Sequence, residues 1–184
     1  MKYILHGGYP NTDNELNRGF FNEISKELPE GGKILVVYFS RQDNEYEKLF
    51  EQDKQNILNN ANGKKLEIIL ASKVNFINQI RKSDAIYMRG GDTEKLLATL
   101  KEYPAFTEAI KNKVVAGSSA GAYVLAKYYY THSKDMIREG LNVLPIKLIC
   151  HYNDSKELIN KFNQYSKEFE LIILRDYEYK VINI

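Results

Sequence analysis

Val114-Val115-Ala116-Gly117-Ser118-Ser119-Ala120-Gly121-Ala122 decides how the chain is read. Val114 to Ala116 predict a brief buried strand, and the small residues after them predict a tight turn into a helix over residues 120–127. Gly117-x-Ser119-x-Gly121 has the spacing of a nucleophile elbow. On such a strained turn a hydroxyl projects from the end of the strand, and the two glycines relieve crowding where helix and strand meet. Ser119 is the candidate nucleophile, while Ser118 lacks the central position. The bland alternative is a small-residue strand-to-helix turn without catalysis, so the strand-turn-helix context carries the weight.

Outward from this stretch, short apolar runs alternate with longer amphipathic ones, the pattern of βαβ units around a mostly parallel sheet. Upstream lies a run from Lys2 to Leu5 that ends in Gly7-Gly8. Thr12-Asp13-Asn14-Glu15 then fits a capping box, with Leu16, Phe20, Ile24 and Leu28 on one helical stripe. Further strands are expected at Lys33 to Phe39, Lys65 to Leu70 and Ala85 to Met88, and helices over residues 44–60, 75–81 and around Leu96, Leu97 and Leu100. Downstream, Tyr128 to His151 gives no clean period. A helix led by Asp154-Ser155-Lys156-Glu157, carrying Leu158, Phe162 and Tyr165, and strands at Phe169 to Leu174 and Tyr179 to Ile184 complete the pattern. The fold class expected is α/β, a three-layer sandwich with a mostly parallel central sheet, in one domain over residues 1–184.

Composition narrows the function. A chain of 184 residues with 43% hydrophobic and 27% charged residues folds around a sizeable core. Twenty-six Lys and Arg against 24 Asp and Glu leave +2, which provides no field toward nucleic acid or an anionic membrane. One cysteine, Cys150, cannot form an internal disulfide, and no Cys/His spacing suits structural zinc. The apolar part of the N-terminus is too short for a signal peptide, so a cytoplasmic location is expected.

A serine at neutral pH needs a base. Of three histidines, His151 follows an apolar run and is delivered to a loop, which makes it the candidate base. His6 reads as a packed or hydrogen-bonded histidine, and His132 as a surface one. A carboxylate should hold the imidazole in the useful tautomer. Asp135, Asp176 and Glu178 are the candidates, and Asp176 is favoured because it follows an apolar strand, where a parallel sheet presents functional groups. For the oxyanion, the N–H of Ala120 after the nucleophile is one natural donor, and Gly91, in the strand-to-helix turn Arg89-Gly90-Gly91-Asp92, is another.

These residues together resemble the serine dipeptidases of aspartyl dipeptidase (peptidase E) type, relatives of cyanophycinase. The similarity lies in Gly7-Gly8 after the first strand, in Ile86-Tyr87-Met88-Arg89-Gly90-Gly91-Asp92-Thr93, in the elbow itself, and in Gly140-Leu141-Asn142-Val143-Leu144-Pro145 ahead of Cys150-His151-Tyr152. The resemblance implies a class I glutamine amidotransferase-like fold with serine replacing the cysteine nucleophile, and cleavage after the N-terminal residue of short peptides. It places Ser119 as nucleophile, His151 as base, and Gly91 and Ala120 as oxyanion donors. Leu174-Arg175-Asp176 is similar to a late Leu-x-Glu segment, with Asp in place of Glu. No arginine matches a motif for aspartyl specificity.

The expected function is thus a serine-type peptidase needing no metal or organic cofactor, its partner a small peptide rather than nucleic acid or membrane. A homodimer is open to it through an apolar sheet edge. An esterase or amidase on non-peptide acyl compounds, and a noncatalytic binding module of the same fold, are the alternatives.

Overall fold

The computed structural model describes residues 1–184. Five strands, β1 (Lys2–His6), β2 (Lys33–Val37), β3 (Glu67–Leu70), β4 (Ala85–Met88) and β5 (Val114–Ser118), lie parallel. They alternate with helices α1 (Glu15–Ser25), α2 (Tyr46–Asn59), α3 (Phe76–Arg81), α4 (Thr93–Lys101) and α5 (Phe106–Ala109). The period of two along each strand divides the core. Ile4, Ile34, Val36, Tyr87 and Ala116 face Phe20, Phe21 and Ile24 of α1 and Leu49 and Ile57 of α2. Tyr3, Leu5, Leu35, Val37, Met88 and Val115 face the opposite way, toward Phe76, Leu96, Leu100 and Phe106 of α3, α4 and α5. Strands covered on both faces need apolar residues at every position, which is why these runs were readable.

After β5 come α6 (Ala120–Tyr123), β6 (Ala126–Thr131), β7 (Met136–Glu139), β8 (Leu144–Ile149), α7 (Lys156–Gln164), β9 (Glu170–Ile173) and β10 (Tyr179–Asn183). β10 joins the central sheet antiparallel to β1, giving the order β10-β1-β5-β4-β2-β3. β6 to β9 form a second sheet, in the order β7-β6-β8-β9. Tyr129, Leu148 and Ile172 from this sheet enter the same cluster as α4 and α6, and α7 covers its other face through Leu158 and Phe162.

Three expectations are corrected. The helix after the elbow stops at Tyr123 instead of running to Lys127. The carbonyls of Val124, Leu125 and Ala126, which a helix would have used, accept from Leu141, Leu144 and Asn142. The region without a clean period is three strands; Pro145 sits in β8 where the register with β6 shifts, a place where a missing N–H costs no regular ladder bond. At the start of α1 the cap is Asn14, whose side chain accepts from Asn17 N, and Leu16 is 48% exposed rather than on the buried stripe. The real stripe is Asn17, Phe20, Phe21 and Ile24.

The elbow glycines admit α6 to backbone contact with two strands. A Cβ on Gly117 would lie 2.3 Å from the Gly121 carbonyl carbon, and one on Gly121 would lie 2.0 Å from the Met88 carbonyl oxygen. Both obstacles are main chain, which cannot turn aside. Gly121→Ala is expected to lower stability by about 3 kcal/mol, read from urea unfolding. Gly63→Ala, in open space at φ +80, is the control and should cost only about 1 kcal/mol.

Candidate active site

The end of β1 gathers the site. His6 O accepts from Ser119 N at 2.9 Å, Gly7 O from His151 N at 3.3 Å, and Gly8 O from Tyr177 N at 3.1 Å. Gly7 and Gly8 are there because nothing larger fits. A Cβ on Gly7 would meet the Arg175 carbonyl oxygen at 1.9 Å, and one on Gly8, at φ +140, would meet the His151 ring at 2.0 Å. The loops after β8 and β9 thus reach the rim of the central sheet where β5 ends.

Ser119 holds φ 49 and ψ −109, a strained setting for a residue with a side chain, at a cost of about 1–3 kcal/mol. Its carbonyl accepts from Ala122 N and Tyr123 N, which start α6 and hold the turn. The hydroxyl lies 2.8 Å from His151 Nε2, and His151 Nδ1 lies 2.6 Å from Asp176 Oδ1. A carboxylate only accepts, so Nδ1 carries the proton and donates it, leaving the Nε2 lone pair to accept from Ser119. Tyr123 ties the nucleophile's helix to the segment before the imidazole: its hydroxyl donates to Cys150 O at 3.1 Å and accepts from Cys150 N at 2.9 Å.

The Gly90-Gly91 turn lies beside the elbow; a Cβ on Gly90 would approach Ser119 Cβ at 3.1 Å. Gly91, at φ +155, takes a conformation that suits glycine, and its N–H donates to no group of the protein. The Ala120 N–H belongs to the first turn of α6, where amides lack partners within the helix. Ser40 Oγ donates to Arg89 O at 2.9 Å and Arg41 Nε to Gly90 O at 2.6 Å, fixing the turn from below.

A cavity of about 430 Å³ opens over these groups. Its lining is polar and includes Arg41 and Arg89. Arg89 is aimed by Asp53 of α2, 2.6 Å from its Nη1, and Tyr38 donates to the same carboxylate at 2.8 Å. Burial pushes the Asp53 carboxyl up, against the pull of Arg89.

The structure therefore brings together Ser119, His151, Asp176, Gly91 and Ala120, and leaves the other carboxylates apart. Asp135, in the turn between β6 and β7, accepts from Tyr130 and Lys161. Glu178 accepts from Arg175 N at 2.8 Å. His6 is fully buried, and His132 is exposed with Nε2 donating to Cys150 O. Arg41, Arg89 and Tyr9 were missed. The two arginines follow the ends of β2 and β4, and the C-terminal edge of a parallel sheet was the signal that could have found them.

A model of peptidase family S51 matches residues 15–182. The chain belongs to peptidase family S51. It is a serine peptidase, built on the class I glutamine amidotransferase-like fold. Two solved structures share this fold. A protein assigned as peptidase E from Listeria monocytogenes EGD-e is 20% identical with a TM-score of 0.67, over 98% of this chain and 96% of its own. A peptidase from an acI-B1 Actinobacterium is 19% identical with a TM-score of 0.68, over 99% of this chain and 83% of its own. Among curated proteins no sequence matches. None of the chain's helices is long and apolar enough to cross a membrane.

Burial lowers the pKa of His6 from 6.5 to about 4, with the Asn17 hydrogen bond opposing and His151 and Asp176 contributing smaller charge effects. The unfolded chain therefore binds this proton at a higher pH than the folded one. Stability should be independent of this group above pH 6.5 and fall as the pH drops toward 4, by about 3 kcal/mol in all. Urea midpoints of the wild type and His6→Gln at pH 7 and pH 4 test this, since the variant should lose less on acidification.

Proposed function

We propose that this S51 peptidase cleaves short peptides with Ser119 as nucleophile, His151 as base and Asp176 as the orienting carboxylate. The observation that carries the reading is the unbroken Ser119–His151–Asp176 hydrogen-bonded line facing the cavity. In the first step His151 Nε2 takes the Ser119 proton while Oγ bonds to the scissile carbonyl carbon. The carbonyl oxygen becomes anionic and receives the Gly91 and Ala120 amides. His151 then gives its proton to the leaving amine as the C–N bond breaks, forming an acyl-enzyme. Water attacks the ester, its proton passes to Nε2 and returns to Ser119 Oγ, and the acid product departs. Asp176 stabilises the imidazolium in both halves.

Size and charge support a short substrate. The cavity holds little more than a dipeptide, and the partly exposed Arg41 in its lining suits a terminal carboxylate within reach of the scissile bond. A reducing, cytoplasmic setting belongs to the same reading, supported by the single buried cysteine.

Fluorophosphonate should label the wild type and leave Ser119→Ala unlabelled; a folded wild type that stays unlabelled would favour a binding module. His151→Ala should lose at least ~10³ in turnover. Among Asp176→Asn, Asp135→Asn and Glu178→Gln, only the first should fall steeply. If aryl esters turn over and dipeptides do not, the substrate is a non-peptide acyl compound instead.

Arg41→Ala should raise KM for a free dipeptide about tenfold relative to the same dipeptide as its C-terminal amide. Equal effects on the two substrates would remove the carboxylate from the reading.

A further inference from the structure

The buried imidazole of His6 takes no part in that chemistry, yet its surroundings leave it one tautomer. Asn17, on the first turn of α1, donates through Nδ2 to the carbonyls of Tyr9 at 2.9 Å and Thr12 at 2.6 Å. Both partners only accept, so the amide nitrogen faces them and Oδ1 faces the other way, toward His6 Nε2 at 2.8 Å. Oδ1 also only accepts, so Nε2 bears the proton. Nδ1 is then a lone pair, and two donors reach it: the Ser118 hydroxyl at 3.1 Å and the Gly8 amide at 3.2 Å. His6 is 0% exposed and Asn17 2%, so water supplies no alternative partner.

This line of bonds starts at the residue before Ser119 and ends on the turn Tyr9-Pro10-Asn11-Thr12, which walls one side of the cavity. Apart from these two bonds the turn is held by the buried Pro10 and by a few weak contacts, among them the Tyr9 ring 6.4 Å from that of Tyr177. Thr12 N reaches Tyr9 O at 3.3 Å, and Asn11 makes surface contacts with Gln52 and Asn56. Tyr9 sits at φ 57, 60% exposed, with its ring edge-on to the His151 imidazole at 5.4 Å between centroids. A mostly exposed tyrosine in left-handed backbone stays in place only if its neighbours hold it.

We propose that His6 and Asn17 are positioning residues: the neutral His6 imidazole orients the Asn17 carboxamide, which holds the Tyr9–Thr12 turn as the substrate-facing wall of the pocket. The kinetic consequence rests on the peptidase reading above, whereas the anchoring itself does not. A histidine that merely filled space would accept any apolar replacement without disturbing the turn. One that orients Asn17 needs an N–H at the Nε2 position, which glutamine supplies and leucine does not.

The chain contains no tryptophan, so Tyr9→Trp places a single fluorescent reporter on the turn. In that background Asn17→Ala, Asn17→Asp and His6→Leu should each raise acrylamide quenching about twofold, and His6→Gln should keep it near the parent value. With Tyr9 restored, Asn17→Asp should raise KM for a dipeptide about tenfold while kcat stays within about threefold and Ser119 still reacts with fluorophosphonate. In the unmutated protein, ring nitrogen shifts should show the Nε2–H tautomer of His6. An Nδ1–H tautomer overturns the proposal, whether or not any variant folds. So do folded Asn17→Asp and His6→Leu chains with unchanged quenching. If the wild type proves inert to fluorophosphonate, the peptidase reading fails, and the tautomer and quenching results still decide this one.

Discussion

Three consecutive carbonyls at the end of one strand hold everything else in place. His6, Gly7 and Gly8 accept from the segments bearing Ser119, His151 and Asp176 respectively, although those segments leave two different sheets. Side chains do not specify this meeting point; backbone hydrogen bonds do, and they form only where the chains approach without Cβ atoms between them. The glycine pair is therefore a geometric requirement of the site, and the Gly7-Gly8 dipeptide is legible as more than a turn.

The same constraint governs the elbow, where the first turn of α6 touches β4 and β5 at main-chain distance. Such contact lets Ser119 adopt an otherwise costly conformation, because the surrounding core determines the turn from several sides. The helix is only one turn long and Tyr123 in it braces Cys150. Packing, strain and the alignment of hydroxyl with imidazole are thus one arrangement. Beneath the Gly90-Gly91 turn, the Asp53–Arg89 pair fills the same role with charges: an ion pair away from water is directional, and it fixes the Arg89 side chain at the start of that turn.

Much of this arrangement is legible in the sequence alone. β1, β2, β4 and β5 are buried on both faces and so announce themselves as apolar runs, and Ser119 stands out because its motif lies between such a run and a helix. The chain's scarcity of histidines pointed to His151, and Asp176 followed from its place after β9. The second sheet was hidden because Ala126–Thr131 begins as a helix would continue, β7 is short and half exposed, and β8 contains a proline. Arg41 and Arg89 were hidden because most arginines lie on the surface; only the sheet's geometry turns these two inward. Asn17 escaped notice because its tie to His6 obeys neither helical nor strand spacing.

The pairing of β10 with β1 joins the last strand to the first, setting His6 opposite Tyr179. Contacts so distant along the chain are slow to form, since the intervening polymer must already be largely ordered. A nascent polypeptide of which only β1 to β8 have emerged from the ribosome has the Ser119 hydroxyl but neither Asp176 nor the closing edge. The line from hydroxyl through imidazole to carboxylate is consequently complete only once the chain beyond β9 has docked on β1, so a partly folded chain lacks it.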